Sequence, residues 1–278
     1  MIAEAAGVLR GAGVGEARRE AGSLLAHVIK RDRTFLITHS DAPLTPDELE
    51  RFRQLIARRT AGEPFQYITG HQEFYGLDFE VTPDVLIPRP ETELLIETAL
   101  QLMKEKTAPL VCDVGTGSGC IAVTLLYERA VARAVALDIS PAALEIAARN
   151  AARHSVGGRL SLVLSNCFAA LDPAGEHFTI IVSNPPYVAE SHLAGLQREV
   201  RDYEPRVALT PGGDGLGVIR RLLYDAPQFL ATSGHLVFEI GFDQHEVVAE
   251  LIDPRVWALL DVHKDLQGIP RIVALRKN

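Results

Sequence analysis

The stretch Leu110-Val111-Cys112-Asp113-Val114-Gly115-Thr116-Gly117-Ser118-Gly119 runs from an apolar strand into a glycine-rich turn, and Cys120-Ile121-Ala122 then opens a helix. Glycines at such a turn permit unusual φ values and let a ligand come close to the backbone. Asp138 closes the next apolar run, 21 residues after Gly117, where a carboxylate can accept hydrogen bonds from ribose hydroxyls. Ser140-Pro141 caps the following helix. Three readings compete. A dinucleotide fingerprint, GxGxxG, would place its third glycine at position 120, which is Cys120. Asp113 suits a ligand with a cationic amino-acid portion, such as the methionine part of S-adenosylmethionine, better than it suits a pyrophosphate. The turn could also serve packing alone. S-adenosylmethionine is the favoured ligand, with Asp113, Gly115, Thr116, Gly117, Ser118, Gly119 and Asp138 as its candidate contacts.

Outward from this turn, strand-like runs occur at 109–114, 132–138, 160–164, 178–183 and 234–240. Helix-like segments lie near 90–105, 119–130, 141–153, 215–230 and 243–252. Such alternation implies a parallel sheet covered by helices on both faces. Val256–Val262 and Arg271–Leu275 are joined by too short a loop for a crossover, so they are antiparallel. The expected fold class is α/β, with a seven-stranded, Rossmann-like sheet whose last strand is reversed, as in class I methyltransferases. Asp265 and Arg271 read as solvated hairpin charges.

Before residue 73 the pattern is helical. Ala17, Ala21, Leu24, Leu25 and Val28 form one apolar stripe. Thr45-Pro46-Asp47-Glu48 starts another helix, with Thr45 as N-cap and Glu48 three residues on. It should bury Leu49, Phe52 and Ile56, end at Gly62, and carry Arg51, Arg58 and Arg59 on its other side. Phe74 to Ile87, rich in β-formers and broken by Gly76 and Pro83, suggests a hairpin. The expected division is a small helical domain over 1–72, a hairpin linker over 73–88 and a catalytic domain over 89–278.

The fourth of the main strands delivers Asn184-Pro185-Pro186-Tyr187 at its carboxyl end, the edge where open α/β sheets bind ligands. These residue types suit an –NH2 group conjugated to a π system. An Asn oxygen and a neighbouring backbone carbonyl can accept both N–H bonds and aim the nitrogen lone pair. The prolines stiffen the turn and leave the Pro185 carbonyl free. Tyr187 can stack on the flat amide or base. A strand-ending turn without function is the bland alternative.

Composition narrows the field. Residues 1–75 carry ten basic and ten acidic side chains, and the rest of the chain carries the whole net charge of −8. That balance gives little sign of the basic face a nucleic-acid tracker needs. No run of apolar residues is long enough to span a membrane. The beginning of the sequence shows no secretory pattern. Cys112, Cys120 and Cys167 lack metal or disulfide spacing and read as reduced, buried thiols, so a cytoplasmic location is expected. The nine histidines show no metal spacing, and no metal is assigned.

Taken together, these segments resemble the HemK/PrmC family, the peptide chain release factor glutamine N5-methyltransferases. The likeness covers essentially the whole chain. It rests on Tyr67-Ile68-Thr69-Gly70, Leu86–Glu93 with its Pro88-Arg89-Pro90-Glu91, the Asp113–Gly119 turn, Val182–Tyr187 and Phe238-Glu239-Ile240-Gly241. The resemblance implies S-adenosylmethionine as methyl donor, leaving S-adenosylhomocysteine, and methylation of the glutamine in the Gly-Gly-Gln loop of class I release factors. It implies that Asn184, Pro185 and Tyr187 are catalytic, and that Pro186, Arg89 and Glu91 join them in binding substrate. Asn166 and Cys167 would flank the adenine, where relatives commonly carry Gly-Asp and an aromatic, and Asn184 would also border the cofactor. A monomer without direct nucleic-acid contact is expected. Methylation of another protein glutamine, as in a ribosomal protein, or of an exocyclic amino group in RNA, stays the alternative.

Overall fold

The structure, a computed structural model, describes residues 1–39 and 41–278. Two compact units emerge: residues 1–71 with 197–203, and residues 72–196 with 204–278.

The first unit holds helices α1 (Ile2–Gly11), α2 (Ala17–Ile29), α3 (Arg33–Thr38), α4 (Pro46–Thr60) and α5 (Phe65–Thr69). Leu9, Ala21, Leu24 and Phe52 lie in its core. Helix α4 starts at a reciprocal capping box between Thr45 and Glu48. Arg59 departs from expectation: it is only 4% exposed. It follows Phe52 by seven residues and Ile56 by three, so it shares their buried face. Its guanidinium donates to Glu20 Oε2 at 2.5 Å, Glu199 Oε1 at 2.6 Å and the Glu63 carbonyl at 3.2 Å. Residues 197–203 therefore belong with the helices although they lie far along the chain. Arg59→Ala should destabilise this unit by about 1–3 kcal/mol, because half-covered carboxylates lose their cation. Thermal unfolding of the variant checks this, and an unchanged midpoint would contradict it.

Where the second unit begins, strands β1 (His71–Phe74) and β2 (Leu77–Glu80) form a two-stranded sheet. Tyr75 and Gly76, at φ 52° and 73°, make the tight turn that matches hairpin twist. The expected strand pairing out to residue 88 is absent. Val81, Val85 and Ile87 are buried, but Thr82–Val85 turns back through the Val85 N–H to Thr82 carbonyl bond, and Pro83 and Pro88 have no N–H to pair.

The main sheet contains β3 (Leu110–Val114), β4 (Arg133–Asp138), β5 (Leu160–Leu164), β6 (Phe178–Ser183), β7 (Leu230–Glu239), β8 (Trp257–Lys264) and β9 (Pro270–Lys277), in the order β5-β4-β3-β6-β7-β9-β8. The first five run parallel, and β9 lies antiparallel to both its neighbours. The reversed last strand is thus as expected, inserted between β7 and β8. Asp265 and Arg271, expected in solvent, pair at 3.0 Å and are largely covered. Helix α6 (Glu93–Leu102) precedes β3, and α7 (Cys120–Glu128), α8 (Pro141–Arg153), short α10 (Arg206–Leu209), α11 (Gly217–Asp225) and α12 (His245–Leu251) lie between later strands, while α9 (Arg198–Tyr203) belongs to the first unit.

Alternate strand residues face opposite sides. Val111, Ile180, Val182 and Val237 join one core with α6 and α7 residues. Cys112, Ile181, Leu236 and Phe238 join another with α11 residues. Among the described residues no helix is long and apolar enough to cross a membrane.

Candidate active site

Strand order reverses between β3 and β6, and a crevice opens there beyond the carboxyl ends of both strands. A cavity of about 510 Å³ occupies it, lined by the turn after β3, by Asp138 after β4 and by Asn184, Pro185 and Pro186 after β6. That volume lies in the range of small-molecule sites, ~300–1,000 Å³. Register makes the meeting inevitable: Asp113 pairs with Val182 and Asp138 with Leu164, so each motif leaves the sheet at its functional edge.

Gly115, Gly117 and Gly119 take φ of 76°, 55° and 81°. Cβ atoms on the first two would meet nothing within 4 Å, so that backbone is bare towards the cavity. A Cβ on Gly119 would come to 3.0 Å from that of Ala147, which explains the third glycine by close helix packing. Asn150, fully buried on α8, donates to the Ser118 carbonyl at 2.8 Å and the Glu80 carbonyl at 3.0 Å, bracing the turn from behind.

Asp113 does not line the cavity as a ligand contact would. It is fully buried behind the turn, where Oδ2 accepts from Thr116 Oγ1 at 2.6 Å and the Ala122 N–H at 3.3 Å. Its Oδ1 has no hydrogen-bond partner. Burial lifts its carboxyl to about 7. Asp138 does line the cavity, and its carboxylate accepts from Gly117 N–H at 2.8 Å and Ser140 N–H at 2.9 Å. These bonds use one lone pair on each oxygen and leave acceptors for a diol.

Asn166 and Cys167 also line the cavity. Arg221 on α11 donates to Asn166 Oδ1 at 2.6 Å and to its carbonyl at 3.0 Å, which turns the amide Nδ2 into the free end. Cys167 is buried at φ 49°, and burial pushes its thiol up. All three cysteines are free and buried. Among the described residues no cluster of metal-ligating side chains occurs.

At the other end, Asn184 Nδ2 donates to Thr92 Oγ1 at 2.9 Å. Thr92 Oγ1 donates to Glu239 Oε2 at 2.7 Å, and Tyr187 Oη donates to Glu239 Oε1 at 3.0 Å. Glu239 is 1% exposed; burial raises its carboxyl, against the Thr92 and Tyr187 bonds and the Arg271 charge. Tyr187 is half-buried, outside the cavity lining, with its phenol pushed up by burial and by Glu239. Arg89 and Glu91 do not line the cavity either, and Arg89 pairs with the buried Glu204.

Sequence reasoning assigned no role to Thr92, Glu239, Asn150, Glu204, Arg221 or Gly215. Gly215 lies at φ 82°, and a Cβ there would sit 2.3 Å from the Tyr187 carbonyl oxygen. Gly215→Ala should therefore displace the 184–187 loop, lowering stability by about 2 kcal/mol or more and turnover with it. Wild-type melting and turnover in that variant would contradict the packing argument.

The descriptions "PrmC N-terminal domain" and "Methyltransferase small domain" match residues 1–70 and 90–224. The chain is 46% identical over 260 residues to the release factor glutamine methyltransferase of Koribacter versatilis, covering 94% of this chain and 91% of that one. It is also 46% identical over 268 residues to that of Cereibacter sphaeroides, covering 96% and 94%. Among solved structures, a Pyrococcus furiosus methyltransferase superposes with a TM-score of 0.52 at 17% identity, over 81% of this chain and 98% of that one, and shares the fold. With this identity sustained over nearly the full length of both chains, the protein belongs to the family of release factor glutamine methyltransferases.

Proposed function

We propose that this chain transfers the methyl group of S-adenosylmethionine to the side-chain amide nitrogen of the glutamine in the Gly-Gly-Gln motif of class I release factors. The observation that carries the reading is Asn184, which lines the cavity of the glycine turn with Nδ2 bound to Thr92 and no described protein donor on Oδ1.

The residues present fit the cofactor. The bare backbone at Gly115 and Gly117 can approach its methionine portion, and Asp138 can take its ribose hydroxyls. Asn166, held by Arg221, can present its amide donor to the adenine edge. Asp113 acts from behind the turn, as the unpartnered negative end of a buried carboxyl near a cationic ligand. S-adenosylmethionine supplies a methyl on a cationic sulfonium that leaves neutral. The chain supplies orientation. Asn184 Oδ1 and the Pro185 carbonyl accept the two amide N–H bonds, which holds the nitrogen with its lone pair towards the methyl. Tyr187, anchored by its hydroxyl to Glu239, stiffens the loop that carries them; its ring is offered as a wall for the amide. No base is required before attack, because the proton can leave after the nitrogen becomes cationic.

In this reading residues 1–72 dock the release factor, 73–88 link, and 89–278 catalyse, with Arg89 and Glu91 contributing at the substrate side. Substitutions on the first unit would then raise KM for the protein substrate and leave cofactor Kd alone; an unchanged KM would remove the docking role. A monomer in the cytoplasm fits the same reading, and three free thiols support a reducing compartment. Peptide mass spectrometry of a treated release factor tests the proposal: one methyl on that glutamine supports it, and a methyl elsewhere refutes it.

A further inference from the structure

An Asn side chain can serve a substrate –NH2 in only one of its two amide orientations, the one that turns Oδ1 to the incoming N–H groups. The two ends are nearly equal in shape, so something outside the amide must choose between them. We infer that Thr92 and Glu239 are the positioning residues that set this choice, an inference that rests on Asn184 holding the substrate nitrogen.

The choice runs outward from the buried carboxylate. Glu239, 1% exposed, accepts from the Tyr187 hydroxyl at 3.0 Å and the Thr92 hydroxyl at 2.7 Å. A hydroxyl has one hydrogen, and that of Thr92 is committed to the carboxylate. Its oxygen can then only accept from Asn184, which must offer Nδ2, as it does at 2.9 Å. Turning the amide over would set two acceptors against one hydrogen at a residue 2% exposed, where water cannot compensate. Oδ1 is left for the cavity.

Thr92 is itself helical, at φ −69° and ψ −16°, and closes the short 3-10 turn Pro90–Thr92 that runs into α6, so its hydroxyl caps no helix N–H. The hydroxyl serves the Glu239–Asn184 line. Burying a carboxylate is also expensive, which a purely structural strand end would avoid.

The test uses the full-length chain with S-adenosylmethionine and a release factor, comparing Thr92→Val, Thr92→Ser, Glu239→Gln and Asn184→Ala. Valine matches threonine in shape and removes the hydroxyl. Thr92→Val should lower kcat about 10–100-fold with cofactor Kd near wild type, and should melt somewhat lower because Glu239 loses a buried donor. Thr92→Ser should recover most of that loss. Glu239→Gln should lower kcat similarly, because its –NH2 can donate to Thr92 and permit the reversed chain. If Glu239→Gln fails to fold, the valine and serine pair decides. The inference is overturned if Thr92→Val keeps wild-type kcat, if serine is no better than valine, or if cofactor binding falls in step with kcat. Wild-type turnover in Asn184→Ala would instead refute the reading of the substrate site. An inactive Asn184→Ala beside a fully active Thr92→Val would refute only the positioning role.

Discussion

Asn184→Ala loses methyl transfer by about 10²–10³-fold while its cofactor Kd stays within a few-fold of wild type. The expectation follows from what the side chain touches. Its Nδ2 is tied to Thr92 and the residue lines the cavity, so under the proposed function alanine removes the acceptor that would orient the substrate nitrogen. A delocalised amide lone pair is a poor nucleophile, and its correct placement at the methyl is most of what the protein can offer. The residues proposed to hold the cofactor follow other strands, at Gly115–Ser118, Asp138 and Asn166, and should persist in the variant. Initial rates with titrated cofactor binding check both halves. Loss of cofactor binding in parallel with turnover would show that Asn184 serves the cofactor instead.

Asp113→Asn should reverse sign between the empty and the loaded protein. Burial holds the folded carboxyl at about 7, above its ordinary 3.8, so folding favours the protonated form. Such a group contributes its full stability below pH 3.8 and loses it as pH rises through 7. By pH 8 the ionised side chain withdraws on the order of a few kcal/mol from the empty protein. The neutral Asn variant should then melt higher than wild type at pH 8 without cofactor, with the gap closing towards pH 4. With S-adenosylmethionine the order inverts. The cationic portion of the ligand favours the carboxylate, so wild-type affinity should weaken as pH falls below 7, while the variant binds more weakly and without that dependence. Melting curves from pH 4 to 8, with and without ligand, read both effects. Parallel curves for the two proteins would contradict the account of Asp113.

The strands around the site were legible because each is a short apolar run ended by turn chemistry, as at Val114–Gly115 and Ser183–Asn184. The sheet edge that carries both motifs follows from that alternation. What was hidden depends on pairings remote in sequence. Thr92, Asn184 and Glu239 meet because β6 and β7 pair with Ser183 opposite Phe238, and no local pattern announces that register. The insertion of β9 between β7 and β8 is likewise a choice among edges that hydropathy does not make. Asp113 looked like a ligand contact by its place before the turn, yet the strand points it into the core. Arg59 looked solvated as a charge, but its spacing from Phe52 and Ile56 already placed it on the buried face. Arg89 pairs with Glu204, more than a hundred residues away, a partner that the substrate-binding role implied for it by resemblance did not announce.

The most direct measurement is transfer of labelled methyl from S-adenosylmethionine to a purified release factor, run beside its Gly-Gly-Gln→Gly-Gly-Ala variant and a total RNA sample. The account predicts label on the native factor and none on the variant or the RNA. Label on the variant to the same extent, or on RNA in preference to the factor, would contradict it.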